Sequence, residues 1–233
     1  MRIALMQPYL FPYIGYFQLI QAVDKFVIYD DVQYIKGGWI NRNKILVNNQ
    51  EFLFTFSIEQ GKMQSKINER MLSSKYRYEK EKFVKTIVQN YRKAPFFQDT
   101  IKLIDKILSS EQINLSNLIY KSILCLNEYL DIPTEVILSS SINKNGLGSA
   151  QDSVIEIVNL LRGNTYINAI GGVQLYSKHT FKMKDIDLLF LKPTEISYPQ
   201  FGYPFISNLS IIDVLMFNSR DNIKDLLNRY ELI

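Results

Sequence analysis

Thiols and imidazoles are nearly missing from this chain of 233 residues, which carries one cysteine, Cys125, and one histidine, His179. A lone cysteine excludes an intramolecular disulfide and a thiolate cluster for a metal. Cys125 sits in the apolar helical run Ile123-Leu124-Cys125-Leu126-Asn127 and reads as a buried spectator. A Ser-His or Cys-His nucleophile would have to use His179, and nothing near it in Tyr176-Ser177-Lys178-His179-Thr180-Phe181 looks like its partner. Long hydrophobic runs are missing too. None approaches the ~18 residues of a membrane-spanning helix, and no signal-peptide pattern follows Arg2. A soluble, cytoplasmic protein is the expectation. The net charge of +4 is mild. It does not suggest nucleic acid as the main ligand, which calls for a strong basic patch, and it leaves anionic small molecules compatible.

What the chain has in surplus is aromatic: 15 tyrosines and 14 phenylalanines against one tryptophan, Trp39. Surplus tyrosine suits half-buried positions, where the ring packs and the hydroxyl stays wet or hydrogen-bonded. The first 43 residues hold most of the chemistry-capable groups. Residues 2–6 are short and apolar and read as a buried strand, ended by Gln7-Pro8 because proline cannot donate to a ladder. Ile14, Phe17, Leu19 and Ile20 follow at helical spacing. Residues 25–29 form a second strand that runs into Asp30-Asp31. Strand, loop, helix and strand within this short stretch read as a βαβ unit and therefore a parallel pair.

Residues 39–47 and 51–58 read as strands joined by a hairpin at Asn48-Asn49-Gln50, since asparagine tolerates positive φ. Residues 59–74 read as loop with a short strand near Ile67. Helices are expected at 78–91, 96–108 and 114–130, the last capped by Asn114. A strand at 134–138, a helix opened by Ser149 or Gln151 and running through Leu161, a strand at 166–168 turning at Gly171-Gly172, a helical piece bearing Tyr176 and Phe181, and a strand at 186–191 follow. An aromatic, proline-containing loop at 198–206 precedes a helix capped by Ser210, with Asp213 in its first turn, and Asp221 starts the last helix. The alternation argues for an α/β fold: a mainly parallel sheet with flanking helices, a β-hairpin after the first βαβ unit and a helical insertion in the middle. One domain, 1–233, is expected, with a helical subdomain at about 78–130. In such sheets ligands sit beyond the carboxyl ends of the strands. Gln7, Asp30, Asp31, Asn168, Gly171 and Gly172 share that address.

The individual groups each carry a structural and a functional reading. The loop from Gln7-Pro8-Tyr9 to Gly15-Tyr16 could present helix N–H groups to an anion, or Gly15 could serve only tight packing. This joint resembles the nucleotide-binding loop of HIGH-type nucleotidyltransferases, although its histidines are absent, and Lys62-Met63-Gln64-Ser65-Lys66 invites comparison with a lysine loop. Asp30 and Asp31 point to opposite faces if the strand continues. One of them is a candidate general base, magnesium ligand or holder of an amine or hydroxyl; the alternative is a turn-forming pair. Asn41 and Asn43 share one face of a strand and Arg42 takes the other, so either the amides or a guanidinium fork for phosphate or carboxylate faces a ligand, with Trp39 as a stacking surface. Gly171-Gly172 could cradle an anion through backbone N–H groups or be a simple turn. Tyr198, Phe201 and Tyr203 allow an interface and are equally normal packing; the oligomeric state stays open.

Taken together, Met6-Gln7-Pro8-Tyr9-Leu10-Phe11-Pro12-Tyr13-Ile14-Gly15-Tyr16-Phe17, the run from Asp24 to Asp31 with Val32-Gln33, Trp39-Ile40-Asn41-Arg42-Asn43, Tyr166-Ile167-Asn168 with Gly171-Gly172, and Leu209-Ser210-Ile211-Ile212-Asp213 resemble the WbqC-like family of bacterial proteins. The likeness runs nearly end to end. Ala169 departs from it, standing where Pro is expected before Ile-Gly-Gly. The resemblance implies a setting in O-antigen and other surface-polysaccharide gene clusters, and a transferase that moves glycine or another acyl group to a sugar or a nucleotide-linked sugar. In that setting Asp30 or Asp31 would act as base or orient the donor amine. Arg42 would hold phosphate or carboxylate, Gln7, Asn41 and Asn43 would bind sugar hydroxyls, and Trp39 or Tyr9 would stack. Tyr16, Gln33, Asn168, Gly171 and Gly172 complete the substrate-binding set. The partners implied are an amino sugar or sugar nucleotide and an aminoacyl or acyl donor. No cofactor is fixed, with a nucleotide or magnesium as the candidates. The alternatives are an ATP-dependent carboxylate-activating enzyme and a non-catalytic scaffold of glycan assembly.

Overall fold

In the computed structural model, which describes residues 1–109, 113–146, 148–202 and 204–233, the chain's first strand lies in the middle of its sheet. Strand β1 (Arg2–Met6) pairs in parallel with β2 (Lys25–Ile28) on one side and with β6 (Thr165–Ala169) on the other. Strand β5 (Glu135–Leu138) extends the sheet beyond β2, β7 (Asp187–Pro193) extends it beyond β6, and β8 (Tyr230–Leu232) closes it antiparallel to β7. The order of the six strands is β5-β2-β1-β6-β7-β8. The remaining strands, β3 (Arg42–Val47) and β4 (Gln50–Thr55), form a separate antiparallel hairpin turned by Asn48 and Asn49, both at positive φ. The fold is thus α/β, with a mostly parallel sheet, a hairpin and a helical insertion, as the sequence pattern implies.

Side-chain alternation along the strands divides the core in two. Ala4, Phe26, Ile28 and Ile167 face α1 (Ile14–Gln21), α4 (Leu115–Leu130), α7 (Ile211–Phe217) and α8 (Arg220–Leu227). Ile3, Leu5, Val27, Tyr166 and Leu188 face α5 (Ala150–Leu160) and α6 (Lys178–Lys182). The insertion helices α2 (Tyr76–Tyr91) and α3 (Phe97–Leu108) join the first cluster through Ile87, Tyr91, Leu103 and Ile104. Buried Gln18 ties α1 to the end of α8, donating through Nε2 to the carbonyls of Leu226 (2.8 Å) and Arg229 (2.9 Å) where the chain leaves that helix.

Several boundaries differ from the sequence expectation. The strand expected from Trp39 begins at Arg42, because Gly37-Gly38 turn the chain just before it. The stretch around Ile67 is a short 3₁₀ helix (Ile67–Glu69), although the flanking residues Lys66 and Met71 each make an isolated antiparallel bridge. Ser219, whose hydroxyl accepts from Asn222 N–H, caps the last helix, and Asp221 lies in its first turn. Strand β8 has no counterpart in the expectation; three residues at a chain end carry too little alternation to read. Cys125 is half-buried on α4 rather than fully enclosed. Tyr203 lies outside the described residues.

Candidate functional site

The chain leaves β1 toward β2 on one side, and β6 arrives on the other. Such a reversal opens a crevice at the carboxyl ends of the strands. A cleft of about 660 Å³ occupies this position. Gln7, Pro8 and Tyr9 follow β1, Tyr29 follows β2, and Asn168 and Ala169 end β6; all of them line the cleft. Gly171 and Gly172, at the start of the 3₁₀ helix Ile170–Leu175, form another wall, and Trp39, Tyr13 and Tyr176 complete it. Of the site residues expected from sequence, Gln7, Tyr9, Tyr16, Trp39, Asn168, Gly171 and Gly172 meet here.

The loop between β1 and α1 is held by several clamps. Phe11 adopts φ 45°, a conformation that costs a bulky residue ~1–3 kcal/mol. Asn43 Nδ2 (2.5 Å) and Ser210 Oγ (2.8 Å) both donate to the Phe11 carbonyl, and Ile211 N–H donates to that of Pro12. Asn43 Oδ1 in turn accepts from the Tyr9 hydroxyl at 3.1 Å. The amide pair therefore faces inward, as strand alternation requires, and shapes the loop from behind. Asn41 does similar work, taking the Tyr34 hydroxyl and donating to the Phe56 carbonyl. Arg42, on the other face, closes on the carbonyls of Gly37 and Gly38 with its guanidinium 5.2 Å from the centre of the Trp39 ring. Gln33 donates to the Met63 carbonyl. None of these four, and no residue of the Lys62–Lys66 stretch, lines the cleft.

The two aspartates part to opposite faces. Asp30 is 1% exposed and accepts from the backbone N–H and hydroxyl of Ser140 and from the Ser116 hydroxyl, stapling β2 to α4 and to the end of β5. Asp31 pairs with Lys144 at 2.6 Å, and Lys144 also donates to the Ser139 carbonyl and hydroxyl. Burial by itself raises the Asp31 carboxyl; the hydrogen bonds from Lys144 and Ser139 and the lysine's charge outweigh it and hold the group below the usual carboxylate range. Its contribution to stability is therefore complete above the unfolded value of ~3.9 and lost as pH falls through the lower folded value. Lys144→Met should cost about 2 kcal/mol at neutral pH, less than a fully enclosed pair would because both partners keep some exposure. The variant should also lose part of the wild type's decline in stability below about pH 4. Urea unfolding at pH 7 and pH 3.5 measures both effects. Equal stability of variant and wild type at pH 7 would show the pair to be inconsequential.

Inside the cleft the amide of Gln7 is exposed with no protein partner among the described residues. Asn168, 6% exposed, uses Oδ1 to cap its neighbour Ala169 N–H at 2.8 Å, and its Nδ2 has no hydrogen-bond partner among the described residues. A Cβ at Gly172 would stand 2.5 Å from that Nδ2, so glycine there keeps the amide in place; a Cβ at Gly171 would meet nothing. The Gly171 and Gly172 N–H groups make no backbone hydrogen bond outside their own turn. Gly15, by contrast, makes room for the Tyr13 ring, whose Cε2 a Cβ would approach to 2.4 Å. Burial raises the hydroxyls of Tyr9, Tyr13, Tyr16 and Tyr29, so at neutral pH they are donors and acceptors, not bases. Tyr13, Tyr29 and Tyr176 are not singled out by sequence reasoning. Tyr29 has a legible signal, for it shares a strand face with Asp31 beside the switch point. Among the described residues, no group of three or more His, Cys, Asp or Glu side chains is arranged to hold a metal ion, and no helix is long and apolar enough to cross a membrane.

A doubly wound sheet with an aromatic cleft at its switch point defines an α/β protein, and the cleft is its candidate site. The chain belongs to the WbqC-like protein family, which matches it across residues 7–225. It is 32% identical over 141 residues to the uncharacterized protein Rv1507c of Mycobacterium tuberculosis (strain ATCC 25618 / H37Rv). That alignment takes in 58% of this chain and 58% of the relative, less than two thirds of the relative's length. No solved structure matches the chain.

Proposed function

We propose that the cleft recognises an amino sugar, free or nucleotide-linked, and that the protein transfers an acyl group, glycyl in the leading case, to it during cytoplasmic synthesis of surface polysaccharide. One observation carries the recognition step: every residue lining the cleft is uncharged, and five tyrosines and a tryptophan share it with the amides of Gln7 and Asn168. Sugar rings offer C–H faces to Trp39, Tyr9 and Tyr29, and their hydroxyl or acetamido groups match Gln7 and Asn168. In the transfer step the sugar nitrogen or oxygen attacks the carbonyl carbon of the activated acyl donor. The new C–N or C–O bond forms, the bond to the leaving group breaks, and the attacking atom's proton departs with that group. Asn168 Nδ2 and the N–H groups of Gly171 and Gly172 would stabilise the oxyanion. Asp30 and Asp31 then act as supports of the cleft wall.

A second reading is a glycan-binding protein without catalysis. It is favoured by the lining, which holds no carboxylate, imidazole, thiol or amine. ATP-dependent activation is less well supported, because a triphosphate calls for lysine, arginine or a metal at the cleft. Fluorescence of Trp39, the single tryptophan, reports occupancy directly. Titration with amino sugars, free and N-acetylated, should change its emission, and ATP or glycine alone should not. Asn168→Ala should weaken sugar binding about tenfold, the worth of one hydrogen bond. A larger fall in kcat would mark transition-state stabilisation. Binding without acyl transfer across a donor panel would favour the binding protein, and ATP-dependent pyrophosphate exchange would favour the activating enzyme.

A further inference from the structure

The wall formed by Tyr9, Tyr13 and Trp39 has two sides. Beyond it lies a second depression of about 470 Å³, closed by Lys44 and Glu51 from the β3–β4 hairpin and by Ser207 and Asn208 from the loop before α7. Trp39 is 45% exposed, yet its loop is fixed. Arg42 clasps the Gly37 and Gly38 carbonyls, and Lys44 Nζ stands 5.8 Å from the centre of the indole ring. An exposed indole in a fixed loop is a preorganised stacking surface. Lys44 is neutralised by its ion pair with Glu51. The Asn208 amide is exposed, and among the described residues its one contact is with the Ser207 hydroxyl. The second depression thus repeats the chemistry of the first: an aromatic wall, a free amide and no net charge. A nucleoside diphosphate crossing the wall would need a cation for its pyrophosphate, and the one lysine there is already paired.

We propose that the two depressions are consecutive subsites for one linear glycan, so that the ligand is an oligosaccharide of at least two sugar rings lying across the Tyr9–Tyr13–Trp39 crest. This rests on the reading of the main cleft as a sugar site. It sharpens that reading by making the sugar part of a chain, with its reducing or non-reducing neighbour in the second depression. An additional ring stacked on Trp39 and hydrogen-bonded to Asn208 should strengthen binding at least tenfold.

Trp39 fluorescence and calorimetry with N-acetylated amino sugars of one to four residues, and with the UDP derivative of the monosaccharide, test the proposal. The expected result is at least a tenfold gain from one ring to two. Ser207→Phe, at an exposed position on the far depression, should abolish the gain and leave monosaccharide affinity unchanged. Equal affinity for one ring and two would overturn the second subsite while leaving the sugar reading intact. The second subsite for a glycan is equally overturned if the gain comes from UDP and is lost in Ser207→Phe. If no saccharide of the series binds, both readings fall.

Discussion

Replacing Asp213 with alanine should destabilise the protein by about 3–5 kcal/mol, roughly a 10 °C fall in Tm for a chain of this size. Asp213 is 0% exposed, in the first turn of α7. Its carboxylate accepts from the hydroxyls of Tyr91 (2.7 Å) and Tyr198 (2.8 Å) and from Gln200 Nε2 (2.7 Å). The Tyr91 hydroxyl also accepts from Leu46 N–H. One carboxylate therefore joins α2, α7, β3 and the loop that follows β7. Burial raises its pKa, against the lowering effect of the three donors. With the folded value above the unfolded one, ionisation of this group is not itself a source of stability. Its contribution is greatest below the unfolded value and declines as pH rises through the folded one. What alanine removes is the acceptor, leaving buried donors unpaired. Asparagine should cost less, about 1–2 kcal/mol. Its oxygen can serve Gln200 and Tyr198, but its Nδ2 then faces the Tyr91 hydroxyl, whose proton loses its acceptor. A loss below about 1 kcal/mol for alanine in urea or thermal unfolding would refute this account.

Sequence pattern places Asp213 correctly, as a first-turn carboxylate, and is blind to its partners. Tyr91 lies far away in the chain, and only packing brings it to α7. The same limit applies to Asp30 and Asp31. Their position at the end of β2 and their divergence to opposite faces follow from period-two alternation, but Ser116, Ser140 and Lys144 are tertiary neighbours. Asn41, Arg42 and Asn43 show a subtler limit. Alternation correctly sends the two amides one way and the guanidinium the other. It does not say that the inward face meets the β1–α1 loop and the outward face meets the Gly37-Gly38 turn. The parallel sheet, the hairpin and the address of the cleft are legible because each rests on local pattern plus one topological rule. The hydrogen-bond economy around the cleft is not, because it depends on which distant segments are brought together.

Gly171 separates a working cleft from a decorative one. Its φ is not positive, it is exposed, and a Cβ placed on it would meet nothing within 4 Å. Gly171→Phe should therefore leave folding stability within about 0.5 kcal/mol of wild type. The same ring would take up space in the cleft that Gly171 lines together with Asn168, Tyr176 and Trp39. A sugar would then lose a hydrogen bond and its stacking contact together, at least ~100-fold in affinity, or about 2.7 kcal/mol. Gly172→Ala is the informative contrast. Its methyl would crowd Asn168 Nδ2 at 2.5 Å, so it should disturb the amide without filling the cleft, weakening binding about tenfold with a measurable loss of stability. Trp39 emission and calorimetry separate the cases. If Gly171→Phe binds sugar as wild type does, the ligand does not occupy this cleft, whatever the fate of Gly172→Ala. If Gly171→Phe fails to bind and Gly172→Ala is weakened, the glycine pair divides its labour: one residue leaves room for the ligand, and the other leaves room for the amide that holds it.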